Sequence, residues 1–439
     1  MNSKIQLRCF LLVISFFIAF PKSAISQANT SVPLTSQKRS AIIKKTAEIF
    51  AEFYPIPEVS TEMIGYIDKR QREGAYDKFN NVDDFTSQLT KDMRSKSNDD
   101  HIRVYPYEKI PDDLAAEKKL GSPENNYGFQ RVEILPGNIG YINLTTFINP
   151  KTAGSTAVAA MNFVAHCDAL IIDLRFNGGG DEAMAQFLSS YFFDQSTHMT
   201  DVITPKDNLT EQIWTQEWVP GLRITVAPIY ILMNTYSYSS AEVLAYQLQQ
   251  IRRAKIVGEK TKGGVHGVRF MSFPDLSINL KVPYKTEINP YSKTNYINGV
   301  MPDITASSRE ALIVAHSELA KLLLTTETNI KKKYLLEWII AGYEIDRNPI
   351  IRNDKKLAEY VGTYANVVIT LDCSTLMLQR NDFKKQAMIP MGDDLFKFKD
   401  INEQKYRVQF IRDDKGKITG LSDLDSDGDT YPVKERERK

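Results

Sequence analysis

The sequence predicts an α/β core, preceded by a helical domain and followed by a small antiparallel β-domain, and three observations lead there. First, two apolar strand patterns each run through a turn into a helical pattern. Ala169, Leu170, Ile171 and Ile172 lead through Asn177, Gly178, Gly179 and Gly180 to Met184, Phe187, Leu188 and Tyr191; residues 229–233 lead through 234–240 to Val243, Leu244, Tyr246 and Leu248. Second, strand patterns (132–135, 139–144, 170–174, 229–233, 256–257, 278–282) alternate with helical ones (152–166, 181–193, 240–253), which favours a largely parallel sheet. Third, beyond Leu357 short alternating runs at 367–371, 375–379, 395–399, 406–411 and 418–421 are divided by turns such as Asp414-Lys415-Gly416, the texture of antiparallel strands.

At the N-terminus, Lys4 and Arg8 precede an apolar run at 9–20, then Pro21, Lys22 and the small-residue stretch Ala24-Ile25-Ser26. This reads as a secretory signal over 1–26, cleaved near Gln27, because the run is too short to span a bilayer. The expectation is an exported protein, periplasmic or extracellular, with no stable membrane insertion after cleavage. Residues 38–97 read as a helical domain. Ile42, Ile43, Ile49, Phe50 and Phe53 recur at helical spacing until Pro55 and Pro57; Met63, Ile64 and Ile67 form a second pattern; Phe85, Leu89 and Met93 form a third, capped by Asp83 or Asp84. The core is assigned 98–308, a helical linker 309–350 and the β-domain 355–435.

A chain of 439 residues implies more than one domain. With 55 Lys and Arg against 54 Asp and Glu, the charge balance carries no footprint of a nucleic-acid partner. Cys167 and Cys373 lie far apart, fit neither a disulfide framework nor a zinc spacing, and read as two buried thiols packed as small hydrophobes. The acidic run 423–428 has Lys434 where a calcium loop needs a bidentate glutamate, so it reads as a hairpin turn. No metal and no organic cofactor is expected, and the oligomeric state is left open.

The two turns carry the chemistry. The run 177–180 lacks the Lys-Ser/Thr of a phosphate loop and the spacing of a dinucleotide fingerprint. Its glycines permit backbone angles that aim successive N–H groups into one concavity, which suits an oxyanion. Ser237, Ser239 and Ser240 stand at the mouth of a helix, where a serine either caps free N–H groups or acts as a nucleophile. A nucleophile needs a base. Of five histidines, His316 and His198 read as structural or solvated and His166 as the end of a helix; His101, after paired aspartates, and His266, after Thr261-Lys262-Gly263-Gly264, remain.

Taken in order, Gly140-Tyr141-Ile142, 174–180, Ser237-Tyr238-Ser239-Ser240-Ala241-Glu242, 258–264 and 299–304 resemble the tail-specific, or C-terminal processing, serine peptidases over about residues 80–305. Within that family the chain is similar to the branch of the tricorn protease core and the interphotoreceptor retinoid-binding protein modules. It has no room for the PDZ domain of the bacterial tail-specific branch and carries Gly264 where that branch has its lysine base. The resemblance implies a ClpP/crotonase-like α/β core, Ser239 as nucleophile, His101 as general base, and an oxyanion hole of the Ser240 N–H with Gly178 or Gly179. Its substrate would be a peptide or unfolded protein tail. The branch carries a glutamate where this chain reads Asn295-Tyr296-Ile297-Asn298, so Asp99 or Asp100 is left to orient His101, with His266 and Lys262 as alternative bases. The competing reading is a catalytically silent module that binds an apolar ligand or peptide. Hydrolysis of a non-peptide ester uses the same parts. Specificity is expected from loops across 193–221.

Overall fold

The computed structural model describes residues 34–109, 119–398 and 405–437. The signal-like segment lies outside them. Among the described residues, no helix is long and apolar enough to cross a membrane.

Three helices open the described chain: α1 (Ser36–Phe53), α2 (Pro57–Arg72) and α3 (Val82–Ser97). Thr35 caps α1, accepting from Lys38 N, and Pro57 starts α2 at a position where its missing N–H is no loss. The cap of α3 is Asn81, not Asp83 or Asp84; its Oδ1 accepts the Asp84 N–H at 2.8 Å, and the two aspartates fall in the first turn, where they complement the helix dipole. The helices share one apolar core with Ile102 and Val104 and with Ile278, Leu280 and Val282, so they are built onto a sheet.

That sheet is antiparallel, ordered β1 (Arg103–Pro106), β10 (Ile278–Ile288), β5 (His198–Thr204), β6 (Leu209–Trp214), with β9 (His266–Phe273) also paired to β10. Two of its strands form a hairpin inside the segment expected to be loop, with Ile203 opposite Thr210 and Val202 opposite Glu211. The second sheet is the predicted parallel one: β2 (Phe129–Leu135), β3 (Ile139–Leu144), β4 (Ala169–Asp173), β7 (Ile229–Met233), β8 (Ala254–Gly258) and β11 (Ile304–Thr305), in the order β11-β8-β7-β4-β3-β2, with only β2 antiparallel to its neighbour.

Alternation along these strands separates two faces. Ile142, Leu170, Ile172, Ile229, Ile231 and Met233 pack against α4 (Pro150–Phe163), α5 (Glu182–Ser189) and α6 (Ser240–Gln250). Ile139, Tyr141, Ala169, Ile171, Tyr230 and Leu232 pack against α7 (Ala311–Leu324). The segment read as a linker therefore supplies a layer of the core: Ala311, Val314, Ala315 and Leu319 share one face of α7, and α8 (Ile330–Arg347) packs behind it.

The C-terminal region is an eight-stranded antiparallel sheet from Gly362–Tyr364 to Lys434–Glu435, each strand paired to the next in sequence. Its strand Gln386–Pro390 has too little apolar alternation to announce itself. Cys167 is buried, as expected, whereas Cys373 is exposed. The reason is local: Cys373 and Ser374 are the left-handed pair of a two-residue hairpin turn, which turns away from the core.

Candidate active site

The strands β4 and β7 are parallel neighbours, so the turns leaving their C-terminal ends lie side by side. In the first, the Asp173 carboxylate accepts the Arg175 N–H and the Tyr141 hydroxyl at 3.0 and 2.6 Å. The buried Asn177 then joins three segments. Its Nδ2 donates to Leu144 O at 2.8 Å, its Oδ1 accepts the Gly179 N–H at 2.8 Å, and its own carbonyl accepts the Tyr238 N–H at 3.0 Å. Gly179 adopts φ 101°, and a β-carbon there would lie 2.7 Å from Ser239 Cβ. Only glycine lets the two turns close on each other.

Three serines occupy the second turn, in three different ways. Ser237 is buried and donates to Leu174 O at 2.8 Å, while Ser240 Oγ donates to Gly180 O at 2.8 Å. Both hydroxyls tie the serine turn to the first one. Ser239 stands between them at φ 54°, ψ −124°. An N-cap residue ordinarily sits in the extended region, and a non-glycine residue in this one is strained. Capping alone does not call for it. A sharp strand-to-helix turn that thrusts out a nucleophile does.

Glu242 holds the turn from behind. Its buried carboxylate accepts the N–H groups of Ser239, Gly263 and Gly264 at 2.9, 2.7 and 2.7 Å, and the hydroxyl of Thr261. Burial pushes its carboxyl above the usual range, against the pull of these hydrogen bonds. Thr261 Oγ1 in turn accepts the Val300 N–H at 2.7 Å, so the motifs at 258–264 and 299–304 both fasten onto the serine helix.

His101 arrives from the other sheet. The left-handed Asn98 ends α3 and turns Asp99 inward, where one carboxylate oxygen accepts the His101 N–H at 2.9 Å and lies 3.2 Å from His101 Nδ1. The other accepts the Tyr54 hydroxyl at 3.3 Å. Asp99 and His101 are 7% and 3% exposed. Burial alone would raise the Asp99 carboxyl; hydrogen bonding to His101 and the nearby His101 and His266 rings hold it below its usual range. The His101 ring lies 4.6 Å from that of Tyr238, and its Nδ1 is 3.2 Å from the Tyr238 hydroxyl. The structure thus sets His101 against the residue immediately before Ser239, without a hydrogen bond between His101 and Ser239 themselves.

The other candidates separate from this group. Asp100 does not orient His101. Its side chain faces solvent and pairs with Lys262 at 3.0 Å, so two residues considered for the site bind each other at its rim. His266 is buried with its ring edge-on to Tyr54, its Nδ1 has no partner, and burial lowers its pKa. Of the two glycines weighed for the oxyanion hole, Gly179 already gives its N–H to Asn177, whereas Gly178 is exposed. Tyr296, at the position of the absent glutamate, is buried beside Tyr246. Tyr238 and Tyr54 were invisible to sequence reasoning. The available signal for Asp99 was its place two residues before His101, the spacing at which a carboxylate reaches a following backbone N–H.

Residues 138–306 match the family model described as Peptidase family S41, and residues 22–127 match the N-terminal domain of Peptidase_S41 in eukaryotic IRBP. The chain thus carries a peptidase family S41 domain, preceded by that family's N-terminal domain. The S41 match spans β3 to β11 and contains both turns, while the N-terminal match carries Asp99 and His101, so the family's two parts meet at the Tyr238 ring. The chain is 29% identical over 300 residues to a "Probable CtpA-like serine protease" of Staphylococcus aureus, covering 62% of this chain and 58% of that protein. It is 27% identical over 202 residues to a "Carboxyl-terminal-processing protease" of a Picosynechococcus strain, covering 45% and 44%. The chain thus spans about half the length of these relatives. Among solved structures, the photosystem II D1 C-terminal processing protease aligns with TM-score 0.33 at 22% identity, over 39% of this chain and 43% of that one. The tricorn protease aligns with TM-score 0.41 at 12% identity, over 70% and 37%.

Proposed function

We propose that the chain is an exported serine peptidase that cleaves peptides or unfolded protein tails by Ser-His catalysis. The observation that carries this is the strained backbone of Ser239 beside a histidine whose Nδ1 faces a buried carboxylate. An ionised carboxylate only accepts hydrogen bonds, so Nδ1 carries the proton and Nε2 is left as the basic nitrogen. Ser239 Oγ attacks the scissile carbonyl carbon while His101 Nε2 takes its proton. The tetrahedral oxyanion receives the N–H groups of Ser240 and Gly178. Its collapse breaks the C–N bond, with the proton passing from His101 to the leaving amine, and water then repeats the sequence on the acyl-enzyme. The His101 ring, whose Nδ1 lies 3.2 Å from the Tyr238 hydroxyl, has to reorient for Nε2 to reach Ser239, and loose hydrogen bonds that tighten on substrate are common in empty sites.

A fluorophosphonate probe tests this. Labelling that disappears in Ser239→Ala and in His101→Ala is the expected result; undiminished labelling in either variant removes the assignment. The absence of a Ser239–His101 hydrogen bond favours one other reading, a silent module that binds a peptide or apolar ligand, and this reading expects no labelling of the wild-type chain. Export is tested by N-terminal sequencing of the mature protein, which should begin near Gln27.

A further inference from the structure

A cavity of 180 Å³ lies between α5, α6 and the strands β5 and β10. Its partly exposed residues include Glu182 and Val243, and its buried ones include Leu244, Met199, Gln247 and Glu287. The mouth therefore lies beside the proposed catalytic elements: Glu182 follows the glycine turn by two residues, and Val243 is one helical turn beyond Ser239, about 6 Å along the axis. Gln247 continues the same face one turn deeper.

The floor is polar and unmatched. Glu287 Oε2 and Gln247 Nε2 are both buried without a hydrogen-bond partner, in residues 3% and 1% exposed. The orientation of the Gln247 amide is fixed by its neighbour. Asn289 Oδ1 accepts the N–H groups of Tyr291 and Ser292, both at 2.9 Å, so Asn289 Nδ2 faces Gln247 and donates to its Oε1 at 2.6 Å. The Gln247 N–H groups are what the cavity receives. Lys285, the obvious counter-ion for Glu287, binds Glu182 instead at 2.6 Å. Burial and the Glu182 charge push the Glu287 carboxyl well up, against Lys285.

We propose that this cavity receives a substrate side chain next to the scissile bond and selects a neutral carboxamide, glutamine or asparagine. The inference rests on the peptidase reading of Ser239. A primary amide matches the floor atom for atom: its carbonyl accepts from Gln247 Nε2 and its N–H donates to Glu287 Oε2. An apolar side chain leaves both groups unmatched. A lysine ammonium finds one acceptor but meets the Gln247 N–H head on and needs a charge buried opposite it.

The test is a set of fluorogenic peptides that vary only at the residues flanking the scissile bond, carrying Gln, Asn, Leu, Ala or Lys in turn. The expected kcat/KM favours Gln or Asn over Leu by on the order of 10²-fold. Glu287→Met and Gln247→Met should each reduce that preference below about fivefold. Glu287→Met removes an unmatched buried polar group, whereas Gln247→Met also takes the acceptor of Asn289 Nδ2 and should lower the unfolding temperature more; thermal unfolding should show both variants folded. In parallel, calorimetric titration of Ser239→Ala with the unlabelled peptides reads selectivity without turnover, in a chain whose pocket is intact. Cleavage with Leu or Lys preferred, or a carboxamide preference that survives both Met variants, overturns the pocket and leaves the peptidase reading standing. Selective carboxamide binding by Ser239→Ala, with neither cleavage nor probe labelling in the wild type, overturns the peptidase reading and leaves the pocket standing.

Discussion

Tyr238 lays its phenol ring over the Cα of Gly264, so that a β-carbon at residue 264 would lie 2.5 Å from Tyr238 Cε2. The place where the tail-specific branch carries its lysine is therefore closed to any side chain. The same ring packs on His101. A single aromatic residue thus fills the space beside Gly264 and seats His101, the proposed base.

Gly264→Ala should act through that ring. The added methyl forces Tyr238 aside and His101 with it, and a displacement near 1 Å at a reacting group costs on the order of 10²-fold in rate. In a Tyr238→Ala background the methyl has space, and Gly264→Ala should then cost less than about fivefold. A double-mutant cycle on fluorophosphonate labelling rates reads the difference. Equal losses in both backgrounds would show that Gly264 acts independently of Tyr238.

Ser239→Gly should trade activity for stability. The φ of 54° with ψ of −124° is costly for serine and free for glycine, and such strain amounts to about 1–3 kcal/mol. Glycine returns roughly 0.5–1 kcal/mol of this through its greater freedom when unfolded. The net expectation is a variant about 1 kcal/mol more stable in urea and unreactive toward the probe. Ser239→Ala, which keeps the strain, should be equally unreactive and no more stable.

Carboxylates at adjacent positions should separate sharply. Asp99→Asn removes the acceptor that fixes the His101 tautomer and should lower kcat by on the order of 10³-fold or more. Asp100→Asn and Lys262→Ala disrupt partly exposed rim pairs, Asp100 with Lys262 and with Arg94, each worth at most about 1 kcal/mol, and each variant should leave kcat within about threefold. Steady-state kinetics on the three variants decides the matter. A lysine whose removal abolishes turnover would reinstate Lys262 as the base.

What the sequence made legible follows from range. The parallel sheet could be read because β4 and β7 are buried on both faces and appear as unbroken apolar runs, and both turns because glycine and serine clusters punctuate them. The hairpin β5–β6 escaped notice because β6 is almost wholly exposed and carries little apolar alternation. Asp99 and Asp100 are indistinguishable as letters; the left-handed Asn98 decides which of them turns inward. The part played by Tyr238 depends on contacts with residues 101 and 264, and no local pattern encodes contacts of that separation.

Acid should destabilise the fold through His316. This ring is buried in α7, with Nδ1 2.6 Å from the Tyr343 hydroxyl and Nε2 2.8 Å from Pro136 O, and burial lowers its pKa to about 4. The unfolded chain takes up a proton on this histidine below pH about 6.5, while the folded chain does not until about pH 4. Between those limits the unfolded state binds more protons, so stability falls as pH falls, by up to about 1.4 kcal/mol per unit and about 3 kcal/mol in all. His266, also lowered by burial, adds in the same direction. Asp99 does not contribute to this slope, since its depressed pKa confers a stability that is complete above about pH 4 and lost only below it. Glu242 and Glu287, whose carboxyls burial raises, act in the opposite direction, so the test is the difference between variants: in urea unfolding at pH 7.5, 6.0 and 5.0, His316→Gln should gain stability relative to wild type as pH falls, because glutamine can serve both partners and does not titrate. Wild-type and His316→Gln curves that run parallel across this range would place the acid sensitivity elsewhere.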